Sequence, residues 1–291
     1  MQDYAAYDPR VTELCERALV TVIGNAGFWG HHLYLVGGLA AGYLTRDMRS
    51  DALAHVGSRD VDLAIVLAVD DATSGNYETL MSNLRDGGFA QAPLDDDPDF
   101  RWRRDVEGHS IVVEFLGENP DVAPGRSFRP KGGAGSAFQA FNVPGVRLVA
   151  SDFEEMSITA ERLDAGGLST ASVRVTRLLP FVVLKILAYR DRHHRKDAYD
   201  LVHVLQNQAD GPEGAGRLMA GSPVAPDTLV AEALLLLGER FADPSNDAPT
   251  DYGVFMLVGD DPEVAARYRN EAVAVVGAVL QSFHVARHDR A

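Results

Sequence analysis

Leu33-Tyr34-Leu35-Val36-Gly37-Gly38 and, further along, Arg59-Asp60-Val61-Asp62-Leu63 decide how this chain is read. The first is a short apolar run closed by two glycines, the pattern of a buried strand that ends in a turn. The second opens another apolar run, over 63–67, with two aspartates spaced two apart. On a strand that spacing sends both side chains to one face. Two carboxylates so placed can chelate one or two Mg²⁺ ions, a hard cation that prefers carboxylate and phosphate oxygen. Glycines beside them let backbone N–H groups approach a triphosphate where a side chain would obstruct.

A third carboxylate lies further along, in Ile111-Val112-Val113-Glu114-Phe115-Leu116. A charge in an apolar strand is costly to bury unless it is paired or bound to metal. Glu114 is therefore expected to join Asp60 and Asp62 at a two-metal site, as a metal ligand or a base. Such ions would activate an acceptor hydroxyl and stabilise charge on an α-phosphate and its leaving pyrophosphate.

Around these motifs the periodicity predicts a helix over 10–28, strands over 33–36 and 61–69, and a helix over 77–85. Residues 100–106 and 110–116 flank Glu107-Gly108 and are expected to form a hairpin. Residues 117–145, rich in Gly and Pro, are expected to form a long loop. A last short strand is expected at 173–175, with helices over 178–189, 198–206, roughly 226–241 and 262–283. A Gly/Pro-rich stretch at 210–226 separates the first helical pair from the rest. The expected class is α/β (α+β), a mixed sheet flanked by helices over 1–150 and a mostly helical domain over 151–291.

Composition narrows the function classes. The chain has 291 residues with 46% hydrophobic and 24% charged, ordinary values for a globular protein able to bury a core. It has no apolar run long enough to span a membrane and no apolar leader, so a cytoplasmic protein is expected. Cys15 is the lone cysteine, which excludes an internal disulfide and a cysteine-built zinc site. A net charge of −15 argues against broad coating of nucleic acid, although basic clusters occur at 101–104, 126–131 and 190–196. Of 27 basic residues only three are lysines, and two of those are Lys185 and Lys196. A compact ammonium there suggests positions where a planar guanidinium does not fit. Adjacent histidines at 31–32 and 193–194 point about 100° apart on a helix, a poor geometry for one metal ion. Neither a P-loop nor a Gly-x-Ser-x-Gly elbow occurs.

The order of these motifs is specific. Leu35-Val36-Gly37-Gly38 followed by Arg59-Asp60-Val61-Asp62-Leu63 resembles the signature of the DNA polymerase β-like nucleotidyltransferase superfamily. Leu184-Lys185 through Tyr189-Arg190, then Arg195-Lys196-Asp197-Ala198-Tyr199-Asp200-Leu201, resembles its AbiEii/AbiGii toxin branch, some members of which add nucleotides to tRNA 3′ ends. The resemblance covers 33–67 and 178–205. It implies that Gly37 and Gly38 bind phosphate and that Asp60 and Asp62 bind Mg²⁺. It further implies that Lys185 meets the triphosphate, that Lys196 and Asp197 take part in nucleotide binding, and that Asp200 is a catalytic residue, an Asp of this motif helping to organise the site. The expected substrate is a nucleoside triphosphate, with a tRNA end as acceptor and a cognate antitoxin as protein partner. A small hydroxylated acceptor, as for antibiotic-modifying relatives, and a non-catalytic binding module of the same fold are the alternatives.

Geometry constrains the two lysines. In one unbroken helix Lys185 and Lys196 would share a face yet lie roughly 16 Å apart along the axis. Either the helix breaks near His193-His194, or the lysines serve different ends of a substrate.

Overall fold

Leu33, Tyr34, Leu35 and Val36 are all buried, and this continuous apolar run forms β1 (Leu33–Val36), an interior strand paired on both edges. The computed structural model describes residues 4–46, 54–66, 77–91, 100–130, 137–257 and 261–290. The chain divides into two units: a sheet unit of Pro9–Ala40 and Gly57–Thr176, and a helical unit of Met1–Asp8, Ala41–Val56 and Arg177–Ala291.

In the sheet unit, β2 (Asp60–Ile65), β3 (Ala90–Gln91), β4 (Arg101–Val106) and β5 (His109–Gly117) follow β1. They are succeeded by β6 (Ser127–Phe128), β7 (Ala140–Asn142), β8 (Phe153–Glu161) and β9 (Leu168–Thr176). The described strands form one mixed sheet of order β3-β4-β5-β2-β1-β9-β8, with β7 joined to β5 and β6. β1 runs antiparallel to β2 and parallel to β9, while β2 runs parallel to β5.

Helix α1 (Pro9–Ala26) packs on this sheet through Leu14, Cys15, Ala18, Leu19, Val22 and Ile23. Their helical spacing gives one apolar stripe, and each large side chain contributes about 1.5–3 kcal/mol by leaving water. The expected helix at 77–85 is α3 (Tyr77–Asp86), and residues 37–44 form α2 (Gly37–Leu44). The expected hairpin is present as β4 and β5, and Glu107 (φ 54°) and Gly108 (φ 80°) make the turn. Positive φ at both positions matches the right-handed twist of the strands. Residues 67–69, expected to extend β2, lie outside the described residues.

Two sequence expectations differ from the structure. Residues 117–145 hold the short strands β6 and β7, so that segment is not loop throughout. Residues 151–176 were expected in the helical half, with a strand only at 173–175. They form the nine-residue strands β8 and β9, paired from Phe153↔Thr176 to Glu161↔Leu168, and the sheet unit runs to Thr176. β8 ends the sheet order and more than half of its side chains are exposed, so the apolar signal that marks interior strands is weak there.

In the helical unit, α4 (Leu178–Arg192) and α5 (Arg195–Gln206) are nearly all buried. They are followed by α6 (Gly211–Ala220), α7 (Thr228–Arg240), α8 (Asp247–Met256) and α9 (Pro262–His288). α6 and α8 were not anticipated. α6 carries three glycines, and a Cβ at Gly216 would meet Val279 O of α9 at 2.4 Å. The glycine that weakens helical propensity is thus what lets α6 approach α9.

Candidate active site

The sheet unit brings the glycine turn and the two aspartates together. β1 and β2 pair with Val36 opposite Asp62, so Gly37 leaves β1 beside that carboxylate. Gly37 has φ +69°, and a Cβ added to it would stand 1.7 Å from Asp62 Oδ2. Both the backbone conformation and the space require glycine here. Gly38 is buried in the first turn of α2.

Asp60 and Asp62 alternate with the fully buried Val61 and Leu63, and both remain partly accessible on one face of β2. The segment entering β2 is pinned to α1: Ser58 N–H donates to Thr12 Oγ1 at 3.1 Å, and Thr12 Oγ1 donates to Ser58 O at 3.3 Å. Ser58 Oγ then donates to Asp60 Oδ1 at 2.8 Å and orients that carboxylate. Cys15 lies beneath the pair; burial first, then the charges of Asp60 and Asp62, pushes its thiol well up, so it packs as a neutral side chain. Ser58 and Thr12 carry no motif of their own, and only the proximity of Ser58 to Asp60 in sequence hinted at the first.

Glu114 of β5 is the lateral partner of Asp62 on β2 and shares its face. The structure also gives it a cation: Arg101 Nε donates to Glu114 Oε1 at 2.5 Å from the neighbouring position on β4. The charge in the apolar strand is therefore balanced by a guanidinium. Among the described residues no three His, Cys, Asp or Glu side chains converge as a metal cage. Asp60 and Asp62 nevertheless fit Mg²⁺, which is commonly held by one or two carboxylates together with substrate phosphates and water.

The helical unit holds the other motif. Of the two alternatives for the lysines, the structure has the helix break: α4 ends at Arg192, His193 is left-handed at φ 48°, and α5 begins at Arg195. The two lysines then converge on one carboxylate. Lys185 Nζ lies 2.6 Å from Asp200 Oδ2 and 3.0 Å from Asp197 Oδ1, and Lys196 Nζ lies 2.9 Å from Asp200 Oδ1. His55 Nε2 is 2.8 Å from Asp200 Oδ1, and Arg192 grips Asp197 through Nε and Nη2, each at 2.7 Å. Lys196 also sits over the Tyr7 ring, 5.4 Å from its centroid. Sequence reading missed His55 and Tyr7, because a pairing such as that of His55 with Asp200 leaves no local pattern; Arg192 was noted only as part of the basic cluster 190–196, not as the partner of Asp197.

Burial alone would raise the carboxyls of Asp197 and Asp200, but Lys185, with Arg192 for the first and Lys196 for the second, holds both below the usual range. Burial would lower Lys185, and Asp200 and Asp197 outweigh it and raise its ammonium. The network is charged and internally satisfied. Lys185 has two carboxylate partners within 3.0 Å, which occupy two of the three N–H donors of its ammonium.

The sequence matches no family model and no curated protein. Among solved structures the chain is similar to an antigenic nucleotidyltransferase-like protein from Paracoccidioides brasiliensis, at 15% identity and TM-score 0.43, over 80% of this chain and 92% of that one. It is also similar to the antibiotic-resistance factor ANT(2'')-Ia, at 12% identity and TM-score 0.37, over 73% of this chain and 90% of that one.

Proposed function

We propose that this chain is a Mg²⁺-dependent nucleotidyltransferase that moves a nucleoside monophosphate from a nucleoside triphosphate to an acceptor hydroxyl, with release of pyrophosphate. The observation that carries this reading is the apposition of Gly37 and Asp62 on paired strands, with Asp60 two residues away on the same face. In this reading Asp60 and Asp62 hold Mg²⁺, and Gly37 and Gly38 lie along the triphosphate. The ion, when bound, would supply neutralisation of phosphate charge and activation of the acceptor hydroxyl. Ser58 keeps Asp60 in place, and the Lys185, Lys196, Asp197 and Asp200 network fixes the junction of α4 and α5.

The acceptor in this proposal is a tRNA 3′ end, with a type IV toxin-like role and a cognate antitoxin as partner. The motif order from Lys185 to Asp200 supports that choice. A non-catalytic nucleotide-binding module is the second reading, favoured by the cations and carboxylates already engaged with one another at Glu114 and Lys185.

Transfer of label from each nucleoside triphosphate, labelled at the α-phosphate, to total tRNA and to the protein itself tests the proposal. Label on tRNA that disappears in Asp60→Ala/Asp62→Ala is the expected result. Label on the protein alone would replace the acceptor. Nucleotide binding without any label would favour the second reading.

A further inference from the structure

The basic run Arg101-Trp102-Arg103-Arg104 has no part in the reading above, yet β4 sets two of its arginines on the face that carries Asp60 and Asp62. The strand registers define two transverse rows. Asp62, Glu114 and Arg101 lie in one, and Asp60, Val112 and Arg103 lie in the next. Laterally paired residues share a face, and adjacent strands are about 4.8 Å apart, so each arginine position stands roughly 10 Å across the sheet from an aspartate. Trp102, between them, is fully buried on the opposite face, which assigns both arginines to this one.

Their side chains are unequal in a useful way. Arg101 is held by its Nε bond to Glu114 and lies over the Phe100 ring, 4.5 Å from the centroid. Its Nη groups make no hydrogen bond among the described residues. Arg103 is exposed and has no ion pair or hydrogen bond among the described residues. A guanidinium fixed through Nε with its outer N–H groups open is a preorganised site for phosphate oxygen.

We infer that Arg101 and Arg103 form a phosphate-binding edge of the Asp60/Asp62 site, with Glu114 as the positioning residue that aims Arg101. This rests on the nucleotidyltransferase reading for what lies at the aspartates. The ligand chemistry is a phosphate oxyanion, supplied by the triphosphate or by the phosphodiester backbone of an RNA acceptor.

Calorimetry of the full chain with inorganic tripolyphosphate and, separately, with a short single-stranded RNA tests this, using wild type, Arg101→Ala/Arg103→Ala and Glu114→Gln. Circular dichroism confirms that each variant is folded. Loss of two charged hydrogen-bonding groups should weaken one probe on the order of ten- to a hundredfold. Weakening of tripolyphosphate assigns the edge to the nucleotide, and weakening of RNA assigns it to the acceptor. Glu114→Gln should raise KM for that substrate with little change in kcat, whereas a metal-ligating Glu114 would lose kcat. Equal binding by wild type and the double variant, or no binding of either probe to wild type, overturns the inference. Label transfer that survives alongside either of those results leaves the transferase reading standing. Arginine-dependent binding without any transfer does the reverse.

Discussion

Gly37 and Asp62 compete for one atom's worth of space: a Cβ on the glycine would fall 1.7 Å from the carboxylate oxygen Oδ2. Gly37→Ala must therefore displace Asp62 as well as adopt φ +69°. The backbone alone costs about 1–2 kcal/mol for a residue with a Cβ. We expect that loss in urea unfolding together with nearly complete loss of label transfer. Gly108→Ala is the control, because φ is +80° there but nothing lies within 4 Å of an added Cβ. It should show the backbone cost and keep the activity; equal activity in the two variants would sink the proposed contact.

A second expectation concerns the metal. A ligand that binds only the folded state at ten times its Kd stabilises that state by about 1.4 kcal/mol. Mg²⁺ should therefore raise the Tm of wild type. Asp60→Asn/Asp62→Asn should abolish the shift while leaving the metal-free Tm close to that of wild type, since both side chains are partly accessible. A shift of the same size in the variant would place the ion elsewhere.

Asp200 anchors the helical unit. It is fully buried and receives Lys185, Lys196 and His55, so Asp200→Asn leaves two ammonium groups short of a counter-charge. Breaking a buried ion pair from one side costs about 3–5 kcal/mol. Arg192→Ala should cost much less, because the Arg192 side chain is 58% exposed and Asp197 retains Lys185. Urea midpoints at neutral pH give the comparison. Similar losses in both variants would mean that burial is not what sets the cost.

How much of this could be read in advance follows from where each residue's constraint lies. Gly37, Asp60 and Asp62 were legible because their constraint is local: a turn, and a period of two on one strand. The spacing of Lys185 and Lys196 offered a helix break near His193 as one of two alternatives, and the fold takes it. Arg101 was visible as a basic residue, but its pairing with Glu114 depends on the register of β4 on β5, which only the folded hairpin fixes. His55 meets Asp200 across 145 positions. β8 and the first part of β9 escaped because exposed glutamates, serines and threonines leave little apolar alternation there, whereas the end of β9 was expected as the strand at 173–175.

The same network sets a pH dependence. His203 is buried with Nδ1 3.3 Å from Tyr199 Oη and, among the described residues, no hydrogen-bond partner for Nε2, while His55, Asp200 and Lys196 also bear on it. Burial first, then the neighbouring His55, pushes it down to about 3. His55 is likewise lowered, by burial against the opposing pull of Asp200. An unfolded histidine titrates near 6.5, so below about pH 6.5 the unfolded chain takes up protons that the native state refuses. Stability should then fall as pH drops, by up to about 1.4 kcal/mol per pH unit for each such histidine. Asp197 and Asp200 act lower down: their contribution is complete above the ordinary aspartate value of about 3.9 and is lost as pH falls through their depressed native values. Lys185, raised in the fold, adds a loss only on the alkaline side, above its ordinary value of about 10.4. His194 is lowered as well, by burial first. Urea unfolding at pH 7 and pH 5 should show wild type weaker at pH 5, and His203→Gln should make that difference smaller. A flat profile over this interval would mean that the native state protonates these histidines, which their burial opposes.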